Sequence, residues 1–263
     1  MASDSKGIAL VTGAGQGIGH AIAVRLAADG FDVAVNDISS KEDNLGELVQ
    51  KIQGQGRRSC QIIADVSEED QVKGMIESVV NEFGGLDVMI ANAGIIKYAV
   101  SVLETTAEDW DRTFSVNAKG TFFCYKYAGL QMVAQGRGGR IIGASSVAGK
   151  RGIPLGGAYS SSKFAVRGLT QSTALELGKY GITVNAYAPG AIDTPMLQGM
   201  DDVMAERQGA EPGAFYKRTD SMSPLGYKGT PLEISSLVSY LASKEAHFIT
   251  GQSMSCNGGT FFD

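Results

Sequence analysis

Seven short runs rich in β-formers recur along the chain, at residues 8–11, 32–35, 59–63, 86–90, 140–143, 182–187 and 252–255, and longer amphipathic stretches separate them. Strand-length runs alternating with helix-length ones are the pattern of parallel strands joined by crossover helices. The first run, Ile8-Ala9-Leu10-Val11, is apolar without a polar alternate, as expected of a strand covered on both faces. No linker or shift of composition interrupts the rhythm. The expectation is therefore an α/β fold: a doubly wound parallel sheet of about seven strands flanked by helices, in one domain over residues 1–263. A chain of 263 residues with 43% hydrophobic content can bury a core of that size without disulfides or metals. One stretch departs from the rhythm. Between residues 190 and 227 the alternation lapses into Met, Asp, Gly and aromatic residues, too long for an ordinary connection and suited to a lid over a site.

Charge and cysteine usage remove several function classes. Lys and Arg number 23 against 28 Asp and Glu, a net charge of −5, and no basic block is present to bind a phosphate backbone, which argues against nucleic acid as a partner. Cys60, Cys124 and Cys256 lie far apart with no paired spacing, so they read as reduced packing thiols and not as a metal site or a disulfide framework. His20 and His247 have no carboxylate or thiol at ligand spacing and read as structural. The first seven residues lack the basic and apolar regions of a secretory signal, and no apolar run approaches the roughly 18–20 residues that span a bilayer. A cytoplasmic protein without a membrane segment is expected.

Chemistry enters at the end of the first run. Thr12-Gly13-Ala14-Gly15-Gln16-Gly17-Ile18-Gly19 follows it and leads into a helical stretch at residues 20–28. Glycines let backbone approach a pyrophosphate, and the free N–H groups and dipole of a helix start favour its charge. Asp37 ends the second run, close to the ~20 residues past the glycines at which an acidic group meets an adenosine ribose. Its carboxylate would accept hydrogen bonds from ribose hydroxyls and repel a 2′-phosphate; the plain alternative is a solvated turn aspartate. Gln16 is neutral where a basic residue would greet that phosphate. NAD (NADH) is expected in preference to NADP.

A second constellation is Tyr159-Ser160-Ser161-Ser162-Lys163, at the start of a helical stretch at residues 157–178. Positions four apart share a helix face, so the ammonium favours the phenolate. Bringing a tyrosine from about 10 toward neutrality takes about three pK units, or ~4 kcal/mol. Such pairs are common on helix surfaces, and this one gains meaning from Ser145-Ser146-Val147-Ala148-Gly149, whose second serine lies 13 residues before the tyrosine. With Asn92-Ala93-Gly94, Val116-Asn117-Ala118, Pro189-Gly190, Thr194 and Met196 in the same order, the chain resembles the short-chain dehydrogenase/reductases, from Lys6 onward.

That resemblance implies a Rossmann-type fold and hydride exchange between a nicotinamide dinucleotide and a secondary alcohol or ketone. It implies Tyr159 as catalytic acid/base, Lys163 as the group that lowers its pKa and binds the nicotinamide ribose, Ser146 as the holder of the substrate oxygen, and Asn117 as the residue at a helix kink that extends the proton path. The cofactor would lie along Gly13, Gln16, Gly17, Ile18 and Gly19, with Asp37 at the ribose and Asp65 and Val66 by the adenine. Asn92, Ala93 and Gly94 would pass close to it, and Pro189, Gly190, Ile192 and Thr194 would meet its nicotinamide side beside Tyr159 and Lys163. Stretches at residues 158–171, 181–196, 240–243 and 250–252 are most similar to the acetoin reductase and 2,3-butanediol dehydrogenase branch. The positions expected to face substrate with Ser146 and Tyr159, namely Val147, Ile153 and Leu155, are apolar, whereas a small diol would want a polar partner at one of them. A bulkier cyclic or aromatic substrate is the rival, and Met196, Met200, Met204 and Met222 in the suspected lid suit a variable apolar one. A silent dinucleotide-binding regulator, or an epimerase or dehydratase, are the alternatives in function. Phe122, Phe123, Tyr125 and Tyr127 occupy more than one face of the helix after Arg112, which with the resemblance implies a homotetramer. Trp110 reads as a packing or interface residue.

Overall fold

A computed structural model describes residues 5–98, 100–209 and 211–263. All seven runs form strands: β1 (Ile8–Thr12), β2 (Asp32–Asp37), β3 (Ser59–Ile63), β4 (Val88–Ala91), β5 (Gly139–Ala144), β6 (Ile182–Pro189) and β7 (Ser253–Cys256). They make one parallel sheet in the order β3-β2-β1-β4-β5-β6-β7. The order reverses between β1 and β4, which opens a crevice at the carboxyl ends of those strands. The helices are α1 (Gly17–Asp29), α2 (Glu42–Gly54), α3 (Glu69–Phe83), α4 (Ala107–Phe114), α5 (Gly120–Gln135), α6 (Gly157–Leu177), α7 (Pro195–Gln208), α8 (Ala214–Met222) and α9 (Pro231–Ala242).

Successive strand residues point to opposite faces, so the unbroken apolar strands feed two cores at once. Ala9 and Val11 of β1 pack with Ile22 and Leu26 of α1, Leu48 of α2 and Val238 of α9. Ile8 and Leu10 turn to the other face, with Met75 and Val79 of α3, Phe123 and Met132 of α5 and Ala174 of α6. Each buried Leu, Ile, Met or Phe removes apolar area worth about 1.5–3 kcal/mol from water. At the amino end of β2 Asp32 is buried and held by Arg57 at 2.7 Å and Arg58 at 2.9 Å, which satisfies its charge.

Two expectations gain detail. The 190–227 stretch, which contains no strand, carries two helices, α7 and α8. Thr194 caps α7, with Pro195 at the first helical position, and hydrogen bonds between Asp193 and Gly229 (2.8 Å) and between Gly229 and Ala191 (3.0 Å) close the base of the segment. These helices are polar and end without strands, so their pattern breaks the rhythm without lacking structure. Of the four aromatic residues on α5, Phe123 and Tyr125 belong to the core and Tyr127 packs against it, its hydroxyl on Glu69 at 2.9 Å; Phe122 alone of the four is exposed. Smaller shifts occur at boundaries, with α1 starting at Gly17 and β4 at Val88.

Candidate active site

The crevice is built from the carboxyl ends of β1, β4, β5 and β6. The Thr12 hydroxyl accepts hydrogen bonds from the N–H groups of Asn92 (3.0 Å) and Ala93 (3.1 Å), and the Asn92 amide donates back to the carbonyls of Thr12 (2.8 Å) and Gly13 (3.1 Å). Tyr187, reaching across from β6, donates to Asn92 Oδ1 at 2.7 Å. The loop after β1 is thereby fixed from two strands. Its glycines are needed for close approach: a Cβ at Gly13 would lie 2.8 Å from the Ala93 Cα, and one at Gly19 only 2.2 Å from the Gly13 carbonyl oxygen. The first turn of α1 has no acidic residue and no side-chain cap, so its N–H groups face the cavity ready for an anion. This cradle fits the pyrophosphate of a dinucleotide.

At the end of β2 the Asp37 carboxylate accepts from the Gly15 N–H at 2.9 Å with one oxygen and from the Ile38 N–H at 2.9 Å with the other, which fixes its orientation. Lys41, which the sequence reading missed, stands beside it: a Cβ at Gly15 would lie 2.9 Å from Lys41 Cβ and 3.0 Å from Asp37 Oδ2. Asp65, after β3, accepts from the Ser67 N–H (2.9 Å) and hydroxyl (2.7 Å) and pairs with Arg112 at 3.4 Å. Burial works to raise its pKa, but the Ser67 bonds and the Arg112 guanidinium outweigh it and hold the carboxyl below the usual range.

β5 delivers Ser146, whose hydroxyl oxygen accepts the Ala148 N–H at 3.0 Å and stands beside the Tyr159 hydroxyl in the first turn of α6. Burial pushes the Tyr159 phenol up, the neighbouring Ser146 hydroxyl pulls it down, and the nearby Tyr98 phenol adds to the rise. Lys163, 3% exposed, donates to the Ala144 carbonyl at 2.8 Å, and its ammonium lies 5.5 Å from the centroid of the Tyr159 ring. Burial lowers its pKa to about 8. Each group alone therefore resists charging, and charge on the pair is favoured only when the two are charged together.

Asn117 sits in a single π-helical turn, Ser115–Lys119, between α4 and α5. Its side chain accepts from the Ile95 N–H at 2.8 Å and donates to the Ile95 carbonyl (2.9 Å) and the Ser162 hydroxyl (3.0 Å), while Ser162 donates to the Tyr159 carbonyl at 2.7 Å. Asn117 thus braces the turn that carries Tyr159. It is fully buried behind the cavity wall, and Gly94 separates it from Lys163: a Cβ there would meet Lys163 Nζ at 3.2 Å and Asn117 Oδ1 at 3.3 Å.

One cavity of about 960 Å³ unites these groups. Apart from Asn117, every residue expected to act in catalysis or to bind cofactor or substrate lines it: Gly13, Gln16, Gly17, Ile18 and Gly19; Asp37, Asp65 and Val66; Asn92 to Gly94; Ser146, Val147, Ile153, Leu155, Tyr159 and Lys163; and Pro189, Gly190, Ile192 and Thr194. Leu155 lies at the rim, with φ of +58°, the sole non-glycine residue in the left-handed region among those described. The four lid methionines line the cavity as well. The sequence reading missed Tyr98, Arg151, Phe215 and Arg218, which come from loops and lid helices whose reach is set by the fold.

A family model described as enoyl-(acyl carrier protein) reductase matches residues 13–260. The chain is 54% identical over 256 residues to a short-chain dehydrogenase/reductase of Armillaria gallica, covering 97% of this chain and 96% of that one. The chain is a short-chain dehydrogenase/reductase. As such it is an oxidoreductase of alcohol and ketone groups, of a family that works with nicotinamide dinucleotides on small molecules. This short-chain dehydrogenase/reductase is also 39% identical over 256 residues to L-2,3-butanediol dehydrogenase of Corynebacterium glutamicum, over 97% of its own length and 99% of the relative's. The solved acetoin dehydrogenase of Salmonella typhimurium matches its fold with a TM-score of 0.84 at 37% identity, over 96% of this chain and 95% of that one. Among the described residues no helix is long and apolar enough to cross a membrane, and no group of three or more His, Cys, Asp or Glu could hold a metal ion.

Proposed function

We propose that this protein is an NAD(H)-dependent enzyme that interconverts a secondary alcohol and a ketone, with Tyr159 as acid/base. The carrying observation is the meeting, in one cavity, of the Tyr159 hydroxyl, the Ser146 hydroxyl beside it and the buried Lys163 ammonium near its ring. In reduction Tyr159 gives its hydroxyl proton to the alkoxide oxygen as that charge forms; in oxidation the phenolate takes the proton from the alcohol. Ser146 holds that same oxygen beside Tyr159. The Lys163 charge stabilises the phenolate, and Asn117 keeps the catalytic turn in register through Ser162. The bound dinucleotide supplies or accepts the hydride. Gly13, Gln16, Gly17, Ile18 and Gly19 would hold its pyrophosphate, Asp37 its adenosine ribose, Asp65 and Val66 its adenine, and Asn92 to Gly94, Pro189, Gly190, Ile192, Thr194 and Lys163 its nicotinamide half. Asp37 favours NAD over NADP, although Lys41 beside it moderates the repulsion of a 2′-phosphate.

Val147, Ile153, Leu155, Phe215 and the four methionines make the substrate walls mainly apolar and favour a bulky hydrophobic alcohol or ketone. The names of the butanediol and acetoin relatives support a smaller oxygenated one. We further propose that residues 1–263 act as one catalytic domain in a homotetramer, and that the unpaired Cys60, Cys124 and Cys256 suit the cytoplasm. The test is NADH absorbance with linear diols and α-hydroxyketones set beside bulky cyclic and aromatic ketones. Turnover of at least one class is expected. Cofactor binding with no turnover on any of them would contradict the reading and favour a silent dinucleotide-binding protein.

A further inference from the structure

The Tyr98 side chain extends from the loop after β4 into the cavity wall, half-buried. Its hydroxyl lies against the lid: a Cβ at Gly199 of α7 would stand 3.2 Å from it, so the absence of a side chain there makes room for the phenol. The hydroxyl has no hydrogen-bond partner among the described residues. Apart from Tyr159, the proposed acid/base itself, the other hydroxyls that line the cavity are engaged. Ser145 donates to the Lys163 carbonyl (3.1 Å), Tyr187 to Asn92 (2.7 Å), Thr194 to the Ile192 carbonyl (3.1 Å), Thr219 to the Tyr216 carbonyl (2.6 Å) and Thr260 to the Asn257 carbonyl (3.0 Å). Ser146 accepts the Ala148 N–H (3.0 Å) and stands beside the Tyr159 hydroxyl. Burial raises the Tyr98 pKa, so it stays a protonated donor at neutral pH, and it lies near enough to Tyr159 for the two phenols to interact electrostatically. The hydroxyl is not sealed from water and opens to the cavity, where a ligand oxygen can replace the water and accept its hydrogen bond.

We infer that Tyr98 determines specificity: its hydroxyl donates a hydrogen bond to a second oxygen on the substrate, one or two carbons from the carbon that reacts at Tyr159. The inference rests on the proposed alcohol/ketone chemistry and narrows its substrate class to oxygenated alcohols and ketones with an apolar remainder. Val147, Ile153 and Leu155 supply apolar contact around the reacting carbon, and the polar partner that a diol or hydroxyketone needs comes from a different segment of the chain.

The test compares kcat/KM, at saturating NADH, for two matched pairs: acetoin against butanone, and 2-hydroxycyclohexanone against cyclohexanone. Wild type should prefer the hydroxyketone of at least one pair. Tyr98→Phe should cut that preference about tenfold, through KM, while the plain ketones stay within about twofold, as expected for one lost hydrogen bond. Gly199→Ala, which pushes a methyl group against the retained hydroxyl, should lower the same preference. An unchanged preference in an active Tyr98→Phe enzyme would overturn the inference and leave the alcohol/ketone reading intact. So would an equal fall for both members of a pair, or a shift in pH profile common to both, since these mark a structural role or action through Tyr159. An active wild type with no preference for either hydroxyketone would overturn the inference alone, whereas inactivity on these four ketones and on the diols and aromatic ketones of the wider panel would contradict the parent reading and this inference with it.

Discussion

Asp37 has both carboxylate oxygens committed to backbone N–H groups, Gly15 on one side and Ile38 on the other, so it cannot swing away from an approaching phosphate. A 2′-phosphate would meet a fixed negative charge, with Lys41 as the nearest compensation. Asp37→Ala removes the charge and leaves Lys41 in place, so kcat/KM with NADPH should rise by about tenfold or more, while that with NADH falls. Wild-type kcat/KM equal for the two cofactors would contradict this role. Lys163 gives a pH test. Burial brings its pKa to about 8, below the ordinary 10.5, so between these values the unfolded chain binds more protons than the folded one, and the stability of the fold rises with pH. The melting temperature of wild type relative to Lys163→Met should therefore increase from about pH 7.5 to about pH 9.5. A constant difference would mean that the lysine is not desolvated. Tyr159, Lys163 and Ser146 were legible because helix spacing places the first two on one face and a strand end delivers the third. Lys41 and Tyr98 were not, because a lysine after a turn and a tyrosine in a loop carry no periodic signal, and only the folded sheet brings them to the cavity.

Among the elements, α7 and α8 are joined by one buried carboxylate. Asp201 of α7, 5% exposed, accepts from the N–H groups of Gly213 (2.6 Å) and Tyr216 (2.8 Å) and so satisfies the start of α8. Asp201→Ala strands both donors, at a cost of about 1–3 kcal/mol, and should loosen α8 while the sheet is unaffected. KM for the alcohol or ketone should rise several-fold, NADH affinity should stay within about twofold, and amide exchange should speed up at residues 214–222. Unchanged exchange there would show that another contact holds the lid. The strands were readable because double-sided burial leaves an unbroken apolar signature, and the two cores of the structure use both faces of each. The lid helices went unread as helices because Asp, Gln and Gly dilute the signal, although Met196, Leu197, Met200, Val203 and Met204 stand at helical spacing on one face of α7. Thr194-Pro195 is nonetheless a helix-start signal and could have marked it.

For the whole molecule, apolar side chains remain uncovered on the helices over one face of the sheet. Phe122 and Leu130 of α5 and Phe164 and Leu175 of α6 are exposed, Leu175 by 87%, and the spacing of the α6 pair puts them on one side of that helix. The proposed tetramer would cover them. Light scattering at micromolar concentration should give about four times the 27.6 kDa chain mass, and Phe164→Glu should lower it. A monomeric mass for wild type would contradict the assembly. Within each chain, four strand ends, the first turn of α6 and a braced π-turn converge on a single phenol, and the account as a whole stands on what that phenol does. The most direct measurement is kcat of Tyr159→Phe on a good substrate, with NADH affinity measured alongside. Loss of the one acid/base group, with the ring kept, should lower kcat by about 10²–10⁴-fold and leave NADH binding nearly unchanged. Retention of more than about a tenth of wild-type kcat would contradict the assignment, because general acid–base loss exceeds that range.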